Sequence, residues 1–253
     1  MIFIVLPIFN EGPNINELLD DIQWHFREIS PQLNYKIVVV NDGSDDNSSD
    51  ILYSLLSDAN YLNYLIILNH DHNKGLSESL KTGLKYCIDS GADKDIVITM
   101  DGDNTHTPGL IFSMLNLLHQ GNDVVVASRY IKGARVIGVP MSRKVLSYFA
   151  SILFRILFPI PNIKDYTSGY RAYKLNILKK SFKSFSEFIS QPGFSCMVDI
   201  LLKIRKISDF PIMREVPLIL RYDKKFGNSK MNVRSTTFET IILIIKRFFG
   251  NYD

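Results

Sequence analysis

The sequence contains few cysteines and no long uninterrupted apolar run. Only Cys87 and Cys196 are present among 253 residues, too few for a disulfide framework or a cysteine-rich zinc site, so we expect a reducing compartment. No window offers the roughly 18 consecutive apolar residues of a membrane-spanning helix. The apolar start at residues 1–6 lacks basic residues and meets Asn10 and Glu11 at once, which predicts a first strand rather than a secretory signal.

Acidic residues are absent between positions 124 and 164, where seven basic residues occur. Residues 1–123 carry 18 acidic and 6 basic side chains, whereas residues 124–253 carry 8 acidic and 23 basic ones, within a net charge of +3. This asymmetry is typical of a basic half that faces phosphates, an anionic membrane or nucleic acid, and also of a merely solvated basic face. Because no stacking or groove-reading motif accompanies the charge, we expect no nucleic-acid partner.

The first half alternates between strand and helix patterns. Apolar residues make up 46% of the chain and charged residues 22%, a globular composition that excludes disorder. Short β-rich runs predict strands at 2–6, 36–40, 64–68, 96–100 and 123–127, and helical spacing predicts helices at 13–26, 48–56, 77–88 and 108–118. Such alternation predicts an α/β fold with a mainly parallel sheet, whose ligands bind beyond the carboxyl ends of the strands.

The pattern changes after residue 128. Helical spacing predicts helices at 141–158, 194–207 and 236–249, and a β-rich run predicts one strand at 212–222. No internal repeat and no obvious linker occurs. We therefore predict one main domain over residues 1–235, followed at 236–253 by a C-terminal amphipathic helix suited to a membrane interface.

Asp101 and Asp103 are the sharpest chemical feature of the sequence. They directly follow the predicted strand at 96–100, where carboxylates project into the ligand crevice. Two acids one residue apart can share a hard cation and bridge it to diphosphate oxygens. The same spacing also occurs in ordinary turns.

Three further loops follow predicted strands. Asp42 precedes a Gly-Ser turn, and its carboxylate can accept hydrogen bonds from a nucleobase or ribose, although a plain turn is equally consistent. The loop at residues 7–11 either binds a ligand or caps the helix that begins near Pro13. Lys74 offers a cation for a phosphate, beside a glycine that permits close approach, or it belongs to a surface turn.

Together these loops resemble family 2 glycosyltransferases of the GT-A fold. Three motifs of the second half are similar to the dolichyl-phosphate mannosyltransferase branch, the polyprenyl-phosphate sugar synthases. The resemblance covers nearly the whole chain and rests on seven motifs in the family's order: Leu6-Pro-Ile-Phe-Asn-Glu11, Val40-Asn-Asp-Gly-Ser44, Asn73-Lys-Gly75, Met100-Asp-Gly-Asp103, Ser128-Arg-Tyr130, Asp165-Tyr-Thr-Ser-Gly-Tyr-Arg-Ala-Tyr173 and Arg221-Tyr-Asp-Lys-Lys-Phe-Gly-Asn-Ser-Lys230.

The resemblance implies an inverting transfer of a sugar, mannose or glucose, from a GDP- or UDP-linked donor to a polyprenyl phosphate. It implies Mg²⁺ or Mn²⁺ as cofactor, held by Asp101, Asp103 and Thr105. The residues implied to bind the donor nucleotide are Pro7, Phe9, Glu11, Asp42, Lys74, Asp101 and Gly102.

The resemblance also implies where the phosphates and the catalytic groups lie. Arg129 would reach the donor and acceptor phosphates, and Arg143 with Ser147 would hold the acceptor phosphate from one helical face. Arg221 and Lys230 would lie in a loop that closes over the diphosphate. The implied catalytic residues are Asp103, Arg129, Arg221 and Lys230.

Two positions depart from the family pattern. Thr105 stands where a glutamine commonly serves as a third metal ligand, so Asn104, His106 or water would complete the shell. Asn41 replaces the first of two paired acids before Gly-Ser and removes one charge near the base. Both departures concern the choice of donor and the affinity for metal rather than the class of reaction.

A phosphate acceptor suits this distribution of charge. A phosphate monoester is largely ionised at neutral pH, with a second pKa of about 6, so it needs little help from a general base. It does need cations, which the acid-free stretch at 124–164 supplies. The alternatives are transfer to a glycan hydroxyl, which requires a carboxylate base, and an inactive nucleotide-sugar-binding subunit. A sugar nucleotidyltransferase is disfavoured because its glycine-rich basic loop is missing.

Two segments, 141–158 and 236–249, combine apolar residues with cations at their edges, and in the second segment these cations are Lys246 and Arg247. This pattern predicts helices that lie in a membrane interface, or helices packed into the core. Four aromatic residues of the first segment would either line a lipid groove or pack in the core: Tyr148, Phe149, Phe154 and Phe158. We expect a cytoplasmic protein peripheral on the cytoplasmic face of a membrane, attached directly or through a membrane-anchoring partner subunit.

His70 and His72 form either a metal pair or, as we expect, part of a surface loop.

Overall fold

The computed structural model describes residues 1–207, 210–225 and 233–252. Within these ranges nine strands form: β1 (Ile2–Ile8), β2 (Tyr35–Asn41), β3 (Leu65–Asn69), β4 (Ile96–Thr99), β5 (Val124–Ser128), β6 (Arg135–Ile137), β7 (Arg171–Lys174), β8 (Met213–Pro217) and β9 (Ile219–Arg221). Eight α-helices accompany them: α1 (Gly12–Ile29), α2 (Ser48–Leu56), α3 (Leu76–Ser90), α4 (Leu110–His119), α5 (Met141–Leu157), α6 (Leu175–Ser184), α7 (Ser195–Lys206) and α8 (Val233–Phe248).

Seven strands form one sheet in the order β3-β2-β1-β4-β7-β5-β8. Strand β7 runs antiparallel to β4 and β5, and the other pairs in this sheet are parallel. The prediction of an α/β fold with a mainly parallel sheet is confirmed. The sequence pattern did not predict β7 or the helix α6 that follows it, because β7 is short and carries the charged residues Arg171 and Lys174.

The prediction of a single strand at 212–222 is wrong, because two strands occupy this segment. Strand β8 pairs with β5 in the large sheet, whereas β9 pairs with β6 in a separate two-stranded sheet. Pro217 has no amide proton with which to continue a ladder. Leu218 then bridges the two sheets, since its N–H donates to Ser128 and its carbonyl accepts from Arg135.

The hydrophobic core lies on both faces of the large sheet. Alternate residues of each strand point to opposite faces, so Val5, Val38 and Val97 join one cluster while Ile4 and Ile37 join the other. Helices α3, α6 and α7 cover the first face, and α1 and α4 cover the second. Burial on both faces explains the continuous β-branched runs of these strands.

The C-terminal helix α8 is joined to α7 by buried charges. The Arg247 Nε atom donates to Asp199 Oδ1 at 2.6 Å, and Lys203 Nζ lies 3.5 Å from Asp199 Oδ2. All three side chains are fully buried. Our expectation that Arg247 is a cation at the membrane edge is therefore wrong, because its guanidinium neutralises an interior carboxylate. Among the described residues, no helix is both long enough and apolar enough to cross a membrane.

We predict that Arg247→Met destabilises the protein by about 3 kcal/mol, because the buried Asp199 Oδ1 loses the charged hydrogen bond that the guanidinium donates, while Lys203 stays beside Oδ2. The matched control is Lys246→Met, which removes a neighbouring exposed cation of the same helix. Equilibrium unfolding in urea measures both changes. Equal losses of stability in the two variants would contradict the anchoring of α8 through Arg247.

Candidate functional site

Two adjoining cavities open at the carboxyl ends of β1, β2 and β4. The smaller cavity, of about 330 Å³, is lined by Pro7, Phe9, Glu11, Asp42 and Gly102, together with residues of α3 and α8. The larger cavity, of about 760 Å³, extends between α5 and α8. Parallel pairing of β1 with β2 and β4 brings these loops to one edge of the sheet, as the sequence predicted.

The carboxylate pair lies at the junction of the two cavities. Among the described residues, both cavities are lined by Asp101, Asp103, Phe194, Lys225 and Thr236. A molecule in the smaller cavity and one in the larger cavity would therefore meet beside these two carboxylates.

Asp101 is positioned by His106. The Asp101 N–H donates to His106 Nδ1 at 3.1 Å, so the neutral ring carries its proton on Nε2, which lies 3.8 Å from Asp101 Oδ2. The ring also stacks on Tyr170. His106 thus presents a proton rather than a lone pair to the site, and it orients Asp101 instead of completing a metal shell. Burial raises the pKa of Asp101.

Asp103 is held from both sides. Thr105 donates its hydroxyl to Asp103 Oδ1 at 2.7 Å, and Lys225 Nζ donates to Oδ2 at 2.5 Å. Burial alone would raise the pKa of Asp103, but the Lys225 ammonium outweighs it and holds that pKa below its usual range. Thr105 consequently orients a carboxylate at the position where the resemblance implied a direct metal ligand.

The carboxylate pair fits a hard divalent cation. Asp103 already binds one cation, the Lys225 ammonium, while the Asp101 side chain is 35% exposed and faces both cavities, where desolvation and the neighbouring Asp103 charge raise its pKa. No group of three histidine, cysteine or acidic side chains with metal-binding geometry occurs within the described ranges. Mg²⁺ is commonly held by one or two carboxylates plus substrate phosphates and water. Asp101 and Asp103 would provide the two carboxylates.

Asp42 is held by hydrogen bonds at the base of the smaller cavity. Its carboxylate accepts from the backbone N–H groups of Lys74 and Gly75, at 2.9 and 2.8 Å. His70 Nδ1 lies 2.6 Å from Asp42 Oδ1, and its Nε2 contacts Thr82. The surface-loop expectation is therefore wrong for His70, which is buried. Its position directly after β3, beside the end of β2, is the signal that sequence reasoning missed.

Lys74 does not reach either cavity through its side chain. Its ammonium pairs with the exposed Asp71 at 2.8 Å. The cation that the resemblance implied for a phosphate therefore points away from the cavities. The loop instead contributes backbone, and Gly75 adopts the left-handed φ of +89° that favours glycine. His72 is exposed, as expected for a surface loop.

Arg129 lines the larger cavity on a rigid support. Its Nε and Nη2 atoms donate to the two oxygens of Asp165 at 2.8 and 2.7 Å, and Nη2 also donates to Thr167. Asp165 is fully buried, which by itself would raise its pKa, yet the Arg129 guanidinium keeps that pKa lowered. This bidentate pair fixes the planar guanidinium. The function of Asp165 as its positioning partner was not assigned from the sequence.

Arg143 and Ser147 lie on one face of α5 and both line the larger cavity, as the sequence predicted. The Arg143 Nη1 atom donates to the Tyr222 hydroxyl at 3.1 Å, and the Ser147 hydroxyl contacts that of Tyr130 at 2.7 Å. The structure therefore brings the implied acceptor-phosphate residues into the same cavity as Arg129.

Apolar side chains of α5 and α8 form the walls of the larger cavity. Val145, Leu146, Tyr148 and Phe149 contribute from α5, and Ile241 from α8. The sequence left open whether four aromatic residues line a lipid groove or pack in the core, and the structure shows two of each. Two of them, Tyr148 and Phe149, are exposed and line the cavity, whereas Phe154 is buried in the core and Phe158 packs against it.

Arg221 is not brought to the site. Its guanidinium pairs with the exposed Asp223 at 2.8 Å, and it lines neither cavity. Lys230 lies outside the described residues. Among the described residues of the same motif, Lys225 is the basic residue that contacts Asp103. Sequence reasoning missed it because neighbouring lysines are indistinguishable without the backbone geometry.

The larger cavity is strongly cationic beside the carboxylate pair. The described residues that line it include four with basic side chains: Arg129, Arg143, Lys144 and Lys225. The acidic side chains among the same residues are Asp101 and Asp103 alone. A carboxylate that would serve as a base independently of the metal pair is therefore missing from the described wall.

Comparison with known proteins finds relatives over most of the chain. The chain is 30% identical to a dolichol-phosphate mannosyltransferase of Pyrococcus furiosus, over 99% of this chain and 65% of that protein. It is 28% identical to a polyprenol monophosphomannose synthase of Mycolicibacterium smegmatis, over 93% of this chain and 84% of that protein. The chain thus spans just under two thirds of the first relative.

A solved structure shares the fold. Glucosyl-3-phosphoglycerate synthase of Mycobacterium tuberculosis, in complex with Mn²⁺, UDP and phosphoglyceric acid, superposes with a TM-score of 0.69 at 17% identity, covering 99% of this chain and 78% of that one. The architecture is that of the GT-A glycosyltransferases. Residues 3–182 match the family Glycosyl transferase family 2. The chain therefore belongs to glycosyltransferase family 2.

Proposed function

We propose that this protein transfers a sugar, with inversion, from a nucleotide-diphosphate donor to a polyprenyl phosphate. The observation that carries the proposal is the composition of the larger cavity. Its described wall combines four basic side chains with apolar helix faces, and its carboxylates are confined to the Asp101 and Asp103 pair. An anionic headgroup on an apolar chain matches this combination.

The absence of a separate carboxylate from that wall argues against a hydroxyl acceptor. A sugar hydroxyl must lose a proton as it attacks, which requires a positioned base. Asp165 is unsuited to that role because it is fully buried and both of its oxygens bind Arg129. A phosphate acceptor is already ionised near neutral pH, so cations that bring two anions together suffice. Intact Asp101 and Asp103 also argue against an inactive subunit.

The smaller cavity suits the donor nucleotide. Pro7, Phe9, Glu11 and Asp42 would surround the nucleoside, and Gly102 permits the backbone to approach the diphosphate. Added side-chain bulk at Gly102 would collide with Ile8, since a Cβ there would lie 2.4 Å from its side chain. We propose that the sugar then lies at the junction, facing the larger cavity.

Asp101 and Asp103 would hold Mg²⁺ or Mn²⁺, with His106 and Thr105 orienting the two carboxylates. When bound, the ion would offset the charge that develops on the leaving diphosphate. Arg129, fixed by Asp165, would contact the phosphates from the opposite side. Arg143 and Ser147 would hold the acceptor phosphate in line with the sugar, so positioning and electrostatics carry most of the rate.

The named relatives favour mannose as the sugar, since both are mannosyl-transferring enzymes by name. The Mn²⁺ and UDP present in the related structure favour a divalent ion. The proposal is tested with radiolabelled GDP-mannose, UDP-glucose and UDP-N-acetylglucosamine, each incubated with a short polyprenyl phosphate and Mn²⁺. We expect label in the lipid phase from one donor, lost in excess EDTA or in Asp103→Asn. No lipid product from any donor, or full activity in EDTA, would contradict the proposal.

A second prediction concerns Arg143. Replacement by alanine removes a charged hydrogen bond to the acceptor phosphate, worth about 1.5–3 kcal/mol, or roughly ten- to a hundredfold in acceptor kcat/KM. Donor affinity should remain nearly unchanged, because Arg143 lines the larger cavity and not the smaller one. The matched control is Lys132→Ala, which removes an exposed cation outside both cavities. A shift in donor affinity with unchanged acceptor kinetics would assign Arg143 to the other phosphate.

We also propose that the mouth of the larger cavity docks on a membrane surface, directly or with a membrane-anchoring partner subunit. Helix α5 exposes Met141, Val145, Tyr148, Phe149 and Ile156 beside the exposed Arg155. The end of the chain exposes Phe238, Ile241, Ile245, Phe248 and Phe249. Apolar residues with cations at their edge favour an interfacial position, and there a lipid acceptor could enter between the two helices.

Flotation with phosphatidylcholine vesicles that contain phosphatidylglycerol tests this docking. Binding should weaken at high salt, because the cations of α5 contribute through screened attraction. Phe149→Ser should reduce binding, while Leu62→Ser, which removes an equally exposed apolar side chain outside both cavities, should not; each is 64% exposed. Failure of the wild-type protein to float at low salt would contradict direct docking.

A further inference from the structure

The smaller cavity contains an imbalance of charge. Its described lining includes five acidic residues: Glu11, Asp42, Asp101, Asp103 and Glu239. Lys225 is the one basic residue among the same described residues, because Lys74 pairs with Asp71 outside it. A nucleoside diphosphate brings further negative charge, so its diphosphate needs a cation from the protein as well as any divalent ion.

Lys225 occupies a position from which it can serve both cavities. Its Nζ atom lies 2.5 Å from Asp103 Oδ2, and only 10% of its side chain is exposed. A 3₁₀ turn at Tyr222–Lys224 delivers it to the junction, where its ammonium lies 5.9 Å from the centre of the Tyr222 ring. The same tyrosine accepts the hydrogen bond from Arg143. Lys225 is thus placed between the carboxylate pair and the cationic larger cavity.

The ammonium and a divalent ion compete for the same carboxylate. A hard cation coordinates carboxylate oxygens directly, and Asp103 Oδ2 is the oxygen that Lys225 now binds. When an ion takes Asp103, the displaced ammonium remains in a largely buried cleft and must find another anion there. Glu11 already acts on this ammonium electrostatically, and the diphosphate of a donor in the smaller cavity would offer it a further, more strongly charged partner.

We propose that Lys225 is a positioning cation that is exchanged between two partners. It neutralises Asp103 in the substrate-free protein, and it binds the donor diphosphate once a divalent ion takes Asp103. The inference rests on the proposed function for the identity of the donor. The exchange makes the carboxylate pair a weak site for metal alone and a strong one for metal together with a nucleoside diphosphate.

Lys224 provides a matched control. It is adjacent in the chain and carries the same charge, but its ammonium pairs with Glu17 at 3.1 Å, and both side chains are substantially exposed. Lys224→Gln therefore changes the net charge near the site as Lys225→Gln does, without freeing Asp103. Lys225→Arg keeps a cation at the position and should restore much of the wild-type behaviour.

The first measurement titrates the substrate-free protein with Mn²⁺ and follows the paramagnetic resonance signal of the free ion. Lys225→Gln should bind Mn²⁺ about fivefold more tightly than wild type, because its competitor is gone. Lys224→Gln should bind it as wild type does. Unchanged affinity in Lys225→Gln, or equal gains in both variants, would overturn the exchange.

The second measurement titrates each variant with GDP or UDP in saturating Mn²⁺ by calorimetry. Lys225→Gln should bind the preferred nucleotide about tenfold more weakly, because a charged hydrogen bond to the diphosphate is lost. Opposite signs in the two titrations are a signature that simple damage to the fold would not give. Tighter Mn²⁺ binding with unchanged nucleotide binding would overturn the transfer of Lys225 to the diphosphate.

These results are separable from the proposed function. Binding of Mn²⁺ to the substrate-free protein does not depend on which acceptor receives the sugar. If no donor labels a polyprenyl phosphate but both titrations behave as expected, the proposed acceptor fails and the exchange stands. If transfer proceeds but the titrations do not respond to Lys225→Gln, the exchange alone fails.

Discussion

The parallel pairing of β1 with β2 and β4 is the constraint on which the site depends. Each strand is buried on both faces, so its register is fixed by core packing rather than by the loop that follows it. The carboxyl ends of the three strands therefore carry Glu11, Asp42 and Asp101 to one edge. A slip in any of these pairs would separate Glu11 and Asp42 from the carboxylate pair.

Charge is segregated around that edge for a physical reason. The acidic half of the chain supplies the two carboxylates of the larger cavity, Asp101 and Asp103, and the basic half supplies Arg129, Arg143, Lys144 and Lys225. The proposed donor and acceptor both carry phosphate and would repel each other, and the repulsion would grow as water leaves the cleft. A buried bidentate pair between Arg129 and Asp165 keeps one cation fixed, whereas the pair between Lys225 and Asp103 joins the two halves at the junction.

Sequence reasoning predicted the parts of this arrangement that depend on periodicity and strand ends. The buried runs of β1, β2 and β4, and the positions of Asp42 and Asp101 after them, follow from local pattern. The antiparallel β7 and the division at Pro217 and Leu218 depend on pairing between distant segments, which local pattern does not contain. Local pattern likewise does not show which distant partner a side chain contacts.

Partner choice explains the errors at individual residues. His70 and Lys74 have similar surroundings in sequence, yet the His70 side chain contacts Asp42, whereas the Lys74 side chain pairs with Asp71. Arg247 was expected at a membrane surface because its helix is amphipathic, but its carboxylate partner lies on α7, almost fifty positions earlier. Arg221 was expected at the diphosphate but lines neither cavity, whereas Lys225, which had no expected role, lies at their junction because the short 3₁₀ turn between them redirects the chain.

The central claim is that a phosphate, and not a hydroxyl, receives the sugar. The most direct measurement compares polyprenyl phosphate with the polyprenol of the same length as acceptors, using the preferred donor, the same Mn²⁺ concentration and the same detergent. The account predicts transfer to the phosphate and none to the alcohol, because the described wall of the larger cavity offers cations but no independent base. Comparable transfer to the alcohol would contradict it.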